Sequence, residues 1–140
     1  MKKLNQLALA LAGAAVLSTA IPAFAHHSFA AEFDINKPVK LDGVVTKFEW
    51  SNPHIYVFID VKDAQGKVTN WGIESASPGQ LARRGWKHDS LKTGDHIVAD
   101  GFAAKDGSKL VGARNVTFSD GRKIFAGATG DGGPGDDGTR

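Results

Sequence analysis

The stretch His54 to Lys62, "HIYVFIDVK", alternates with apolar residues on both parities. Ile55, Val57, Ile59 and Val61 share one face, and Tyr56 and Phe58 the other. A strand of that kind is covered on two sides. Ahead of it, "VKLDGVVTKFEW" (Val39 to Trp50) is rich in β-formers, with Gly43 marking a bulge or sharp bend. Behind it, Asp63-Ala64-Gln65-Gly66 forms a turn, and Lys67 to Ser75 returns as the hairpin partner.

One short helix follows. Ser77 is the N-cap, Pro78 takes the first helical position, and Gln80 completes a Ser-x-x-Gln capping box. Gly85 ends it after two turns. So short a helix does not persist on propensity, so capping and packing must hold it. Leu91 to Asp95 turns the chain into a strand over His96 to Ala103. Asp106-Gly107 turns it again into Leu110 to Phe118, and Lys123 to Phe125 trails off after a last turn. Three strands, a helix and two strands predict an all-β fold with one short helix, a small five-stranded OB-fold-like barrel. Another small β-barrel or sandwich of the same strand count is the runner-up.

The two ends read differently from this domain. Lys2 and Lys3, the apolar Leu7 to Val16 and the small-x-small Ala23-Phe24-Ala25 make residues 1–25 a secretory signal peptide cleaved after Ala25, with a weaker site after Ala20. The apolar run is too short and interrupted for a retained membrane helix. The expected organisation is thus a signal peptide over 1–25, an N-terminal arm over 26–37, the barrel over 38–126, and a disordered Gly/Asp-rich tail over 127–140. The expected destination is the periplasm, with no transmembrane anchor after cleavage.

Export also changes the charge. Full-length, 17 Lys and Arg face 15 acids; losing Lys2 and Lys3 brings the mature balance to zero. Nucleic-acid binding usually needs a basic surface, so the expectation is no nucleic acid, with an unknown protein or small solute as partner. There is no cysteine, which excludes disulfides, thiolate metal sites and a cysteine nucleophile. No nucleophile elbow, phosphate loop or dinucleotide fingerprint is present, and no catalytic residue is assigned.

The motifs His26-His27-Ser28-Phe29, Glu49-Trp50-Ser51-Asn52-Pro53-His54, Arg83-Arg84-Gly85-Trp86, Leu91-Lys92-Thr93-Gly94-Asp95 and Asp120-Gly121-Arg122-Lys123 together span almost the whole mature domain. As a set they make the chain resemble a family of small exported bacterial proteins without an established biochemical role. The resemblance implies export and a single domain, and brings no catalytic assignment.

The candidate chemistry lies in histidines. Cleavage after Ala25 makes His26 the first residue, whose free amine and Nδ1 can chelate one ion together. With one further imidazole this becomes a three-nitrogen histidine brace, a donor set suited to Cu(II). His54, opening the second strand behind Asn52-Pro53, is the expected third ligand. His27 can complete the site or substitute for His54. The metal ligands expected are therefore His26, His27 and His54, with copper as the cofactor; zinc or no metal are the alternatives. Phe29 and Phe33 are expected to lay the arm over Tyr56 and Phe58. His88 and His96 read as surface or edge residues, Trp50, Trp71 and Trp86 as packing, Arg83-Arg84 as a solvated helix face, and Glu74 as one partly buried carboxylate.

Overall fold

Strand β1 (Phe33–Glu49) is long enough to serve two neighbours, and the fold is built on that division. The structure, a computed structural model, describes residues 28–128. The first half of β1 runs antiparallel to β4 (His96–Ala104), and its second half runs antiparallel to β2 (Tyr56–Lys62). Val44 is shared, facing His96 on one side and Asp60 on the other. The expected bend falls here: a Cβ on Gly43 would lie 2.6 Å from the Asp60 carbonyl oxygen, so only glycine lets β1 cross this close to β2. The register irregularity itself comes slightly later, between Val45 and Lys47.

From β2 the sheet continues into β3 (Val68–Glu74) by the expected hairpin. β4 pairs with β5 (Leu110–Phe118), and β3 meets β5 in a short parallel seam, Gly72 to Glu74 against Leu110 to Gly112. The order β1-β2-β3-β5-β4 thus returns to β1. That ring-like sheet is OB-fold-like, as the strand order predicted. Two details go beyond the prediction. Lys123–Phe125 does not trail off but pairs with β5 as a sixth strand, β6. β1 also begins at Phe33 rather than Val39, with an irregularity before Pro38 that the polar "DINKP" run conceals.

Alternation sends Leu41, Val45, Val57, Ile59, Ile73, Ile97 and Val116 into the ring's interior. Helix α2 (Pro78–Arg83) is capped as expected, Ser77 Oγ accepting from the Gln80 N–H at 3.4 Å. It delivers Leu81, and Trp86 just beyond it, into the same core. A separate small cluster of Phe33, Phe102 and Ala104 lies apart from that core, with Phe29 packed against it. There the arm, whose residues Phe29–Glu32 form the single-turn helix α1, is fastened to the ring. No helix of the described residues is long and apolar enough to cross a membrane.

Gly43→Ala is expected to destabilise the protein by about 1–3 kcal/mol, the usual cost of forcing atoms into a filled space. Thermal unfolding reads this as a midpoint lowered by several degrees, and an unchanged midpoint refutes the close-crossing account of β1.

Candidate metal centre at His54

The loop after β1 holds a cis Asn52–Pro53 bond and ends at His54. The backbone on either side is pinned: Ile55 N–H donates to the Ala76 carbonyl at 3.2 Å, and Ser75 N–H to the Ile55 carbonyl at 2.8 Å. The His54 ring is held as firmly, with Nδ1 3.0 Å from the Ser75 carbonyl oxygen. A carbonyl only accepts, so Nδ1 carries the proton. In the neutral ring the lone pair therefore sits on Nε2, the state a metal ligand needs.

Glu74 stands behind this arrangement. Its Oε1 is 3.4 Å from His54 Nδ1, and its Oε2 accepts a hydrogen bond from Tyr56 Oη at 2.7 Å. Tyr56 and Glu74 are direct cross-strand partners, so sheet register alone sets that bond. The Glu74 side chain is only 11% exposed, as its position on an apolar strand suggested. Burial first, then the hydrogen bond to Glu74 and the negative field of Glu74, Glu32 and Glu49, push the Tyr56 phenol far above its ordinary value of 10.0.

His54, Glu74 and Ser75 share a small cavity with Phe29, Glu32 and Phe33 of the arm. Its volume of about 20 Å³ accommodates a single water-sized particle. Gly112 shapes the arm's seat: a Cβ there would lie 2.7 Å from the Phe33 ring and 2.9 Å from Phe29. Phe29 packs on Phe33 at 5.2 Å and edge-on against Phe102 at 5.7 Å. Lys105 reinforces the seat, its backbone N–H donating to the Glu32 carbonyl and its ammonium to that of Ala30.

The arm's location corrects one expectation. Phe29 and Phe33 do not cover Tyr56 and Phe58; they settle beside Phe102, over the bare backbone of Gly112. Tyr56 and Phe58 instead stack on each other at 6.3 Å, with the Lys47 ammonium over Phe58. The arm nevertheless reaches the cavity that His54 lines. Of the three expected ligands, His54 is described, whereas His26 and His27 lie outside the described residues, as do the expected signal peptide and the tail beyond Ala128. Among the described residues no three His, Asp or Glu side chains converge as a metal-binding group. Two contributors to the cavity carried no sequence signal: Glu32, in a polar-looking arm, and Ser75, which acts partly through its carbonyl.

The remaining candidates are structural. His96 Nε2 meets Asp42 at 2.7 Å on the surface, and His88 lies against Trp50 at 4.7 Å. Arg84 is not on a solvated face: it donates to the Gly127 carbonyl at 2.7 Å and covers Phe125.

Fold and site together define an all-β, OB-fold-like protein with a polar, histidine-bearing cavity where the arm meets the ring. The chain belongs to DUF6152, a family of unknown function whose model matches residues 13–113. No curated relative matches the chain. Among solved structures it is similar to the mitochondrial single-stranded DNA binding protein Rim1 of S. cerevisiae, at 12% identity and a TM-score of 0.46, over 62% of this chain and 94% of that one. This finding corrects the exclusion of nucleic acid drawn from net charge. A summed charge of zero does not describe its distribution, and here Lys40, Arg114 and Lys123 gather around one surface groove with Asp100. No partner is assigned in its place.

Tyr56 is the protein's only tyrosine, so its ionisation is readable directly in the ultraviolet. Phenolate absorbance is expected only far above pH 10, with Glu74→Gln moving it part of the way back. Between the ordinary and the raised value the unfolded chain gives up the phenol proton and the folded one keeps it, so stability falls as pH rises through that window. Ordinary ionisation in the native protein contradicts the Tyr56–Glu74 contact.

Proposed function

We propose that the protein is an exported, periplasmic, non-catalytic binding module. It carries a copper ion on the N-terminal histidine of the mature chain, with His26, His27 and His54 as the ligand set. The observation that carries this reading is the state of His54. Nδ1–H donates to the Ser75 carbonyl, which leaves the Nε2 lone pair of the neutral ring for a ligand. The arm supports it further. Ser28 is the first described residue, and Phe29, next in sequence, lines the cavity beside His54. His26 lies three residues before Phe29, a reach of about 10 Å for extended chain. Imidazole and amine nitrogens favour Cu(II) over the other divalent metals of the first row. Metal delivery, buffering or sensing are the roles open to such a module. A metal-free accessory module docking a protein or solute is the competing reading.

Copper titration of the secreted protein, followed by electron paramagnetic resonance, tests this. The chain beginning at His26 is expected to bind one Cu(II) with a nitrogen-rich signal. His26→Ala, or one extra residue ahead of His26, is expected to weaken binding by about tenfold or more, at least 1.4 kcal/mol. Equal affinity in all three proteins removes the support for an N-terminal chelate.

A further inference from the structure

Four strands build the groove that Lys40, Arg114 and Lys123 share with Asp100. Lys40 comes from β1, Asp100 from β4, Arg114 and Asn115 from β5, and Lys123 from β6. Sheet register sets the central row: Lys40 faces Asp100, and Asp100 in turn faces Asn115. Arg114 enters through a bulge. Asp100 pairs with Asn115 and Gly101 with Ala113, so Arg114 is the extra residue of β5. In unbroken alternation it would share a face with Val116 and Phe118, which are buried. The bulge instead opens Arg114 and Asn115 together onto the groove.

The charges in this groove are unequally partnered. Asp100 meets the Lys123 ammonium at 3.4 Å, and neighbouring Lys37 is held by Asp34 at 3.6 Å. Lys40 and Arg114 make no side-chain hydrogen bond or ion pair with another described residue. Three cations and one carboxylate leave two positive charges in excess, which a dianion balances. Placement narrows the dianion's shape. Lys40 and Arg114 stand on opposite sides of β4, their backbones about 10 Å apart, with Asp100 between them. A compact anion at the centre would lie against that carboxylate, whereas one anionic group at each end avoids it. Pro38, Val39 and Phe102 supply apolar wall, and a volume of about 470 Å³ suits a small organic molecule. A long polyanion fits less well, because exposed Asp42 follows Lys40 on the same face of β1. We propose that the groove binds a small organic dicarboxylate, Lys40 holding one carboxylate and Arg114 the other through paired N–H donors. The site is independent of the copper reading and uses none of its ligands.

Succinate is the probe, titrated into the secreted protein at low ionic strength and followed in the amide spectrum. Shifts are expected at Lys40, Asp100, Arg114 and Lys123, with binding about tenfold tighter than that of acetate, its one-ended counterpart. Lys40→Gln and Arg114→Gln are each expected to weaken succinate binding about tenfold. Both side chains are exposed, so the thermal midpoint is retained. Asp100→Asn removes the opposing charge and releases Lys123, so it is expected to bind succinate more tightly than the wild type. Damage to the fold does not produce such a gain. No succinate shift at these residues, acetate bound as tightly, or weaker binding by Asp100→Asn overturns the proposal. So does inorganic phosphate or a single-stranded oligothymidylate that outcompetes succinate there, the first marking a compact-anion site and the second a nucleic-acid surface. Failure of copper to bind leaves the groove's assignment unaffected.

Discussion

The parallel seam between β3 and β5 is the constraint on which the rest depends. Three residue pairs, Gly72 to Glu74 against Leu110 to Gly112, turn a meander of antiparallel strands into a ring. The same seam makes the site. Glu74 lies opposite Gly112, whose missing side chain leaves the space where Phe29 and Phe33 rest. The arm thereby brings Glu32 to the cavity that Glu74 lines. One residue past the seam, Ser75 turns its carbonyl to His54 and fixes the imidazole tautomer. The contacts that close the ring therefore also line the cavity.

Much of the architecture was legible because it obeys local rules. Alternation over Ile55 to Val61 marked the buried face of β2, and Val57 and Ile59 are fully buried. The Ser77-Pro78-x-Gln80 signal located the helix, and Gly43 marked the place where β1 must pass close to another backbone. Strand order then implied the ring. What stayed hidden depends on non-local contacts. β6 is three residues long and gains its place only by pairing with β5. The first turns of β1 are polar and contain Pro38, so no periodicity announces them. The arm's destination was misjudged because the vacancy above Gly112 is a property of the closed ring, and no spacing within the arm encodes it.

The site was partly legible on the same terms. His54 stood out by its type and its position at a strand's start, and Glu74 by being a carboxylate on an apolar strand. Neither property revealed that Tyr56, Glu74 and His54 act in series, because that chain rests on register across the β2–β3 hairpin. Ser75 contributes a backbone atom, which no residue type can signal. Net charge is a weak guide for a related reason: it sums over the surface, whereas Lys40, Arg114 and Lys123 line one groove together with Asp100, which Lys123 meets at 3.4 Å.

The proposed copper reading requires that the N-terminus of a chain beginning at His26 and His54 share one ion at the seam. Paramagnetic broadening by substoichiometric Cu(II) in the amide spectrum of the mature protein tests it most directly, because it reports position without any substitution. Loss of signal is expected around Glu32, His54, Ser75 and Gly112, while residues near His96, at the far end of β4 from Phe102, keep their intensity. Broadening centred on His96 or His88, or spread evenly over the ring, contradicts the account.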